Sequence, residues 1–421
     1  MIKHDIVIIG GGPAGLAAAI SAFDNGIKDV VIIERENRAG GILKQCIHNG
    51  FGLSRFKESL TGPEYANRFI REAENRKIKI YTDTTVISLT KDKTITAING
   101  ENGIFEIKAN AVILAMGCRE RSRGALNIAG TRPAGIFSAG CAQKLVNIKG
   151  LLPGKKVVIL GSGDIGLIMA RRLTLEGAEV LAVCEIMPYS SGLKRNILQC
   201  LDDYGIPLYL NHTITRIDGT ERVTGVEISR VDENKKPIKG TETYFDCDTV
   251  LFSVGLIPEN ELSKEAGIEL SPKTRGAVVS QNRETCIDGV FACGNVLHVH
   301  DLVDFVSEES ETAGFYAANY VLNGEKEKRL IDVVTGKGIS YVLPQKIDKN
   351  LSGNVKLYFR VNNSYRDCSL KIIVDGETVL SRKKRVMLPG EMETFILTEQ
   401  LISETEKTIK VEIENNSGEI K

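Results

Sequence analysis

The sequence predicts an α/β protein built from two similar βαβ domains, with a small all-β domain at the C-terminal end. Three observations carry this expectation. The glycine string Gly10-Gly11-Gly12-Pro13-Ala14-Gly15 follows the apolar run Asp5–Ile9, and Gly161-Ser162-Gly163-Asp164-Ile165-Gly166 follows Lys156–Leu160. Each string opens a helix-like stretch and is answered, 24 positions after its first glycine, by an acid closing the next strand-like run: Glu34 and Glu185. From about Ile331 the pattern changes to short alternating strands parted by turn pairs such as Asp375-Gly376 and Pro389-Gly390. A single G-x-G-x-x-G string is weak. Two, each in register with strand, helix and acid, predict two Rossmann-like dinucleotide-binding domains.

Along the chain, Asp5–Ile9 reads as a strand, Ala14–Asn25 as a helix closed by Gly26, and Val30–Glu34 as a strand. A loop with Gly40 and Gly41 follows. A helix is expected over Gly62–Arg76, with Thr61 as its N-cap and Pro63 in its first turn. Ile78–Tyr81, Val86–Thr90, Thr94–Asn99 and Phe105–Lys108 read as short strands. Ala111–Ala115 is an apolar strand ending in Met116-Gly117, and Thr249–Ser253 with Val254-Gly255 is its counterpart, so the internal repeat extends beyond the glycine strings. Gly289–Asn295 precedes a helix-like run over Asp304–Leu322. Val355–Val361, Leu370–Val374, Phe395–Leu397 and Ile409–Ile413 supply the last strands. The expected domains are 1–118 with 270–330, 119–269, and a β-rich 331–421.

Composition narrows the class. A chain of 421 residues accommodates two or three domains, and 42% hydrophobic residues support packed cores rather than disorder. The 54 basic and 54 acidic side chains cancel, so nothing draws the protein to nucleic acid or an anionic membrane. Met1–His4 leads straight into the first strand, which predicts no signal peptide. The apolar run Ile6–Ile20 is too short and too broken by glycine to span a bilayer. A cytoplasmic protein is expected. Nine scattered cysteines fit reduced thiols, and no pair has C-x-x-C or C-x-x-x-x-C spacing.

Glycines let backbone N–H groups approach a pyrophosphate, the helix N-terminus adds a favourable dipole, and the acid accepts ribose hydroxyls. FAD is long, so its domain needs a second cradle near the ribityl and ring. Gly294-Asn295 and the following helix start provide one. The first domain is therefore read as a discontinuous FAD domain and the middle one as the NAD domain. The expected FAD-binding residues are Gly10, Gly12, Pro13, Ala14, Gly15, Glu34, Arg35, Gly40, Gly41, Val86, Ala115, Gly117, Gly294, Asn295 and Val303. Those for NAD are Gly161, Gly163, Asp164, Ile165, Gly166, Glu185 and Gly255. Glu185 repels a 2′-phosphate and outweighs the lean of Ala170 toward NADP, so NAD is favoured. No metal-ligand spacing emerges.

These motifs resemble the pyridine-nucleotide-disulfide oxidoreductase superfamily over about residues 1–325. Gly117-Cys118-Arg119-Glu120-Arg121, Ile128–Gly135 and Pro153-Gly154-Lys155 resemble the FAD/NAD-binding subunits of glycerol-3-phosphate, amine and opine dehydrogenases, hydrogen cyanide synthase and sarcosine oxidase. Gln45–Gly52 and Thr61–Tyr65 look like the glycerol-3-phosphate branch. The resemblance implies hydride transfer between nicotinamide and FAD. It also implies a second flavoprotein subunit that oxidises the substrate, with NAD or a small iron–sulfur subunit in the electron path. The chain departs from the superfamily in lacking a redox dithiol, in placing Asn295 where relatives have Asp, and in lacking a cysteine-rich insertion, so any cluster belongs to another subunit. A free-standing NADH oxidase or NADH:acceptor reductase, a non-catalytic scaffold subunit, and a homo-oligomer stay open.

Single residues carry paired readings. Cys46 is the one catalytic candidate, as a thiolate beside the flavin; otherwise it is a packed side chain. His48, His298 and His300 contact the flavin region or bond loop backbone. Arg119, Arg121 and Arg123 hold a partner or carboxylate, or brace a hinge. Arg382-Lys383-Lys384-Arg385 is a docking patch or a solvated face. The β-rich end docks a partner or second copy, or caps the FAD domain.

Overall fold

Ile6–Ile9 is four consecutive apolar residues, all buried, as a strand covered on both faces requires. In the computed structural model, which describes residues 2–350 and 352–415, the strand Ile2–Ile9 lies inside a sheet. Ile6 pairs in parallel with Val30 on one side and Ala111 on the other. The sheet runs Lys79–Tyr81, Val30–Ile33, Ile2–Ile9, Gly103–Leu114, Thr94–Asn99, Thr85–Leu89, with Val290–Ala292 added beside Gly103–Leu114. The two strands expected at 105–108 and 111–115 are one, Gly103–Leu114. Nothing between them breaks the ladder: Ala109 is buried, and Asn110 Nδ2 donates to Asp5 Oδ1 at 2.8 Å.

The contacts divide the chain into Met1–Cys118 with Pro258–Lys421, and Arg119–Ile257. The return falls at Pro258 rather than at 270, because Glu259 N–H donates to Gly117 O and Ala266, Ile268, Ala277 and Val279 pack on the first sheet with Val7, Ile9 and Leu114. The β-rich end belongs to this same unit: Leu343 joins that core, and Val279 N–H donates to Gln345 Oε1 at 3.1 Å. Its five- and three-stranded sheets enclose Leu357, Phe359, Leu370, Ile372 and Val411.

On the other face, the helix Pro13–Asp24 presents Ala17, Ala18 and Ala22 to the helix Val303–Asn323, which offers Ala313, Gly314 and Ala317. Small residues let the two backbones meet: a Cβ on Gly314 would lie 2.2 Å from Ala18 O, and Ser21 Oγ donates to Glu311 O at 2.7 Å. The helix Gly62–Asn75 begins where expected. Thr61 and Glu64 form a capping box, with Thr61 N–H donating to Glu64 Oε2 at 2.8 Å.

The unit Arg119–Ile257 repeats the plan. Its parallel sheet runs Ile136–Ser138, Thr249–Phe252, Lys156–Leu160, Glu179–Glu185, Leu208–Leu210. Helix residues Leu167, Ala170 and Leu173 cover one face. The antiparallel strands His212–Gly219 and Val223–Arg230 cover the other through Ile214, Ile217, Val226 and Ile228.

Gly314→Ala should force these two helices apart and destabilise the protein by about 1–3 kcal/mol, the usual cost of overpacking. The check is a lower midpoint in chemical denaturation; an unchanged midpoint contradicts the close approach.

Candidate functional site: two glycine turns and a buried histidine–glutamate cluster

Each glycine string turns the chain from a central strand into a helix. Gly10 has φ +109°, and a Cβ there would lie 2.4 Å from Ala115 O; one on Gly15 would lie 1.8 Å from Gly10 O. The second turn repeats this. A Cβ on Gly161 (φ +99°) would lie 2.1 Å from Ser253 O, and one on Gly166 would lie 2.6 Å from Gly161 O. These glycines are sterically required. Gly12 is different, because a Cβ there meets nothing closer than Gly41 Cα at 3.8 Å. Its backbone is therefore open to a ligand.

The acids reach back to their own turns. Glu34 Oε2 accepts Gly11 N–H at 2.7 Å and its Oε1 accepts Glu36 N–H at 2.8 Å. Glu185 Oε2 accepts both Ser162 N–H at 3.0 Å and the Ser162 hydroxyl at 2.7 Å, while Met187 N–H bonds Oε1 at 3.0 Å. Gly40 N–H donates to Gly11 O at 2.8 Å, which brings the Gly40-Gly41 loop onto the first turn. Arg35 is exposed beside it, and Val86 lies two residues after Thr84, whose N–H donates to Glu34 O at 3.0 Å. Gly294 (φ +72°) presses on the first helix, where a Cβ would lie 2.8 Å from Ala14 Cβ. Asn295 Oδ1 accepts His300 N–H at 3.1 Å, and Asn295 Nδ2 faces Cys118 Sγ at 3.7 Å.

Helix ends test whether these turns suit dinucleotides. Among described helices longer than ten residues, those opening at Gly62 and Ala139 are capped by Thr61 and Ser138. Those opening at Pro13, Asp164 and Val303 have no side-chain cap. The uncapped three follow the two glycine strings and the Gly294 turn. Their first-turn N–H groups and dipoles are left for an anion or a carbonyl. The residues present thus fit two pyrophosphates and a flavin edge.

The Asp164 side chain is engaged within the protein. Its Oδ1 accepts Leu193 N–H at 2.8 Å and Asn196 Nδ2 at 2.7 Å, and Gly192 N–H donates to Ser162 O at 3.0 Å. Residues 189–196 are thereby docked on the second turn, a feature the fingerprint alone does not signal. Ile165 packs on the helical face, and Gly255 (φ +102°) stands in open space. A cleft of about 500 Å³ lies mainly over residues 213–242, reaching Leu160 and Ile186 and lined by Thr213, Thr215, Glu227 and Ser229.

Cys46 does not have the environment of a thiolate. Burial pushes its thiol up to about 12, and Sγ–H donates to Ile42 O at 3.4 Å. The packed reading fits it. His48 packs tilted against Phe51 with centroids 4.9 Å apart and faces Asn49 O at 3.2 Å. Arg123 bonds the carbonyls of Thr131 and Ile128, as a braced loop requires. Lys384 pairs with Glu393 at 2.8 Å on the exposed edge strand Glu377–Met387.

His298 and His300 meet a partner that histidine spacing does not reveal. Glu309, on the long helix, is completely buried and faces His298 Nε2 at 3.2 Å and His300 Nε2 at 3.0 Å. Burial would raise its carboxyl, but the two imidazoles hold it well below the usual range. Burial, aided by His300, pushes the His298 imidazole down to about 4. The available sequence signal was an acid on the small, apolar face that carries Val306, Ser310 and Ala313.

The family model described as pyridine nucleotide-disulphide oxidoreductase matches residues 4–341. One subunit of the opine oxidase of Agrobacterium tumefaciens (strain Ach5) is 25% identical over 313 residues, covering 69% of this chain and 61% of that protein. Hydrogen cyanide synthase subunit HcnB of Pseudomonas protegens is 23% identical over 283 residues, covering 62% and 59%. The chain thus spans about three-fifths of these relatives. Thioredoxin reductase of T. acidophilum superposes with a TM-score of 0.63 at 25% identity, covering 77% of this chain and all of that one. No helix among the described residues is long and apolar enough to cross a membrane.

At pH 7, Cys46 should resist iodoacetamide while the exposed Cys141 and Cys286 alkylate, and its labelling should rise only as the pH nears 12. Peptide mass spectrometry of a timed reaction checks this, and rapid labelling of Cys46 at pH 7 would restore the thiolate reading.

Proposed function

Because the chain belongs to the pyridine nucleotide-disulphide oxidoreductase family, whose members bind FAD and NAD(P)H, we propose that it is an FAD-dependent NAD(H) oxidoreductase serving as the electron-transfer subunit of a multi-subunit dehydrogenase. The glycerol-3-phosphate and amino-acid or opine types are the candidates. The observation that carries the reading is the pair of uncapped helix starts behind glycine turns, each with its buried acid, in a chain without a redox dithiol. Bound flavin and nicotinamide supply the hydride chemistry.

The chain's own groups bind and orient. The turns at Gly10–Gly15 and Gly161–Gly166 take the pyrophosphates, and Glu34 and Glu185 take ribose hydroxyls. Gly294, Asn295 and the helix start at Val303 hold the flavin side. Glu185 is fixed by three donors, so its charge stays aimed at the ribose and favours NAD over NADP. The names of two relatives, each called a subunit, support the multi-subunit role; the second flavoprotein or iron–sulfur partner is part of the proposal.

Anaerobic NADH should bleach the bound flavin, with few turnovers in air and a second flavoprotein co-purifying from the source cell. A flavin that neither nucleotide bleaches argues for a scaffold, and rapid multiple turnover in air argues for a free-standing NADH oxidase. Glu185→Arg should shift the NADH-to-NADPH Kd ratio toward NADPH by about tenfold or more. A wild type that binds NADPH more tightly than NADH would overturn the NAD assignment.

A further inference from the structure

Glu309 is a buried carboxylate with three hydrogen-bond partners and one ion-pair partner. Oε1 faces His298 Nε2 at 3.2 Å and Arg283 Nε at 3.2 Å; Oε2 accepts His300 Nε2–H at 3.0 Å and Gly294 N–H at 2.9 Å. The Arg283 contact is one of charge, since its Nε is not aligned as a hydrogen bond. Neither Glu309 nor the two imidazoles reach solvent. Behind the imidazoles stand two tyrosines of the β-rich end. Tyr358 packs edge-on to His298 and His300 with centroids 5.7 and 5.8 Å apart, and the Tyr341 hydroxyl lies 3.5 Å from His298 Nδ1.

Two histidines and a glutamate invite a metal reading, and all three offer ligand atoms within 4.8 Å of one another. The charge balance opposes it. A carboxylate has about four lone-pair sites, and His298, His300 and the Gly294 N–H already face three of them. Arg283 already neutralises it, so a divalent ion would bury surplus positive charge.

What the cluster does hold is the Gly294 turn. Glu309 takes the Gly294 N–H, and His300, anchored on Glu309, donates its backbone N–H to Asn295 Oδ1. That fixes the Asn295 amide, with its oxygen on the His300 N–H and its nitrogen toward Cys118 Sγ. We propose that Glu309 is a positioning residue for the flavin. It locks the Gly294-Asn295 turn and, balanced against Arg283, sets the local charge at that turn, while Tyr341 and Tyr358 make the β-rich end a working part of the flavin site. The proposal rests on the FAD assignment above.

The test compares wild type, Glu309→Gln, Glu309→Asp and Arg283→Gln as full-length proteins, stripped of flavin and titrated with FAD. Midpoint potential and visible spectrum are then read on the loaded forms. Glu309→Gln should weaken FAD binding about tenfold or more, through loss of charge-assisted hydrogen bonds. It should also raise the flavin potential, because a negative charge is removed. Glu309→Asp keeps the charge and loses the reach, so affinity should fall while the potential stays near wild type. Arg283→Gln should shift the potential downward. If Glu309→Gln does not fold, Tyr341→Phe carries the test: FAD affinity should fall severalfold with the flavin-free melting temperature unchanged. Potentials moving in one direction for both charge variants, or FAD affinity unchanged in Glu309→Gln or in Tyr341→Phe, would overturn the proposal. So would a stoichiometric metal in wild type that Glu309→Gln loses. A wild type that takes up no FAD overturns the FAD reading and this proposal together, whereas a loaded wild type with unmoved variants overturns this proposal alone.

Discussion

Two backbone approaches too close for any side chain set the rest of the architecture. Gly10 lies against Ala115 O and Gly161 against Ser253 O. Each contact joins the end of a central strand to the end of its neighbour, at the point where the chain leaves the sheet for a helix. The left-handed turn that makes the approach also aims the helix N-terminus over the carboxyl edge of the sheet. Gly15 and Gly166 then seat the helix on the turn itself, with no Cβ to hold it off. Under the proposed function an anion of the cofactor would complete the uncapped N–H groups, and a capping side chain there would compete with it. Thr61 and Ser138 appear only on helices without that task.

The parts written in residue chemistry were legible in the sequence. A glycine required by sterics has no substitute, so the strings at 10–15 and 161–166 declare their turns. Thr61 with Glu64 declares a helix start by the same kind of local necessity. Strand Thr94–Asn99 follows from alternation alone. What depended on distant partners was not legible. Gly103–Leu114 reads as two strands because Asn110 looks like an interruption until Asp5, more than a hundred positions earlier, accepts its amide. The return at Pro258 depends on Ile268 and Val279 packing on a sheet built from the chain's start. Glu309 joins the histidines across a helix turn that no spacing rule links to them, and residues 189–196 meet the second turn through Asp164, a position the fingerprint assigns to the cofactor.

The two acids show how a repeated plan is tuned differently. Glu34 holds backbone only, through Gly11 and Glu36. Glu185 adds the Ser162 hydroxyl, which the first turn cannot offer because Gly11 stands in that place. The second acid is therefore held by one more donor, and the segment behind it is bound to the loop through Gly192 and Asn196. A carboxylate so constrained keeps its charge at one spot, and charge at that spot is what separates two nicotinamide cofactors differing by a phosphate.

The cysteines complete the reasoning about electron flow. In a dithiol enzyme a pair of sulfurs beside the flavin carries electrons onward. Here the sulfur nearest that role, Cys46, is half-buried with its thiol pushed up by burial, and no second cysteine stands within the spacing a disulfide loop needs. Under the proposed function, electrons exchanged between flavin and nicotinamide then have no covalent relay within this polypeptide. The acceptor or donor at the far end must come to the flavin from outside, as a partner protein or a diffusible molecule. An isoalloxazine that trades electrons with an outside partner needs a fixed position and a set potential. Under the proposal for Glu309, the buried, charge-balanced cluster beside Gly294, backed by Tyr341 and Tyr358, provides both.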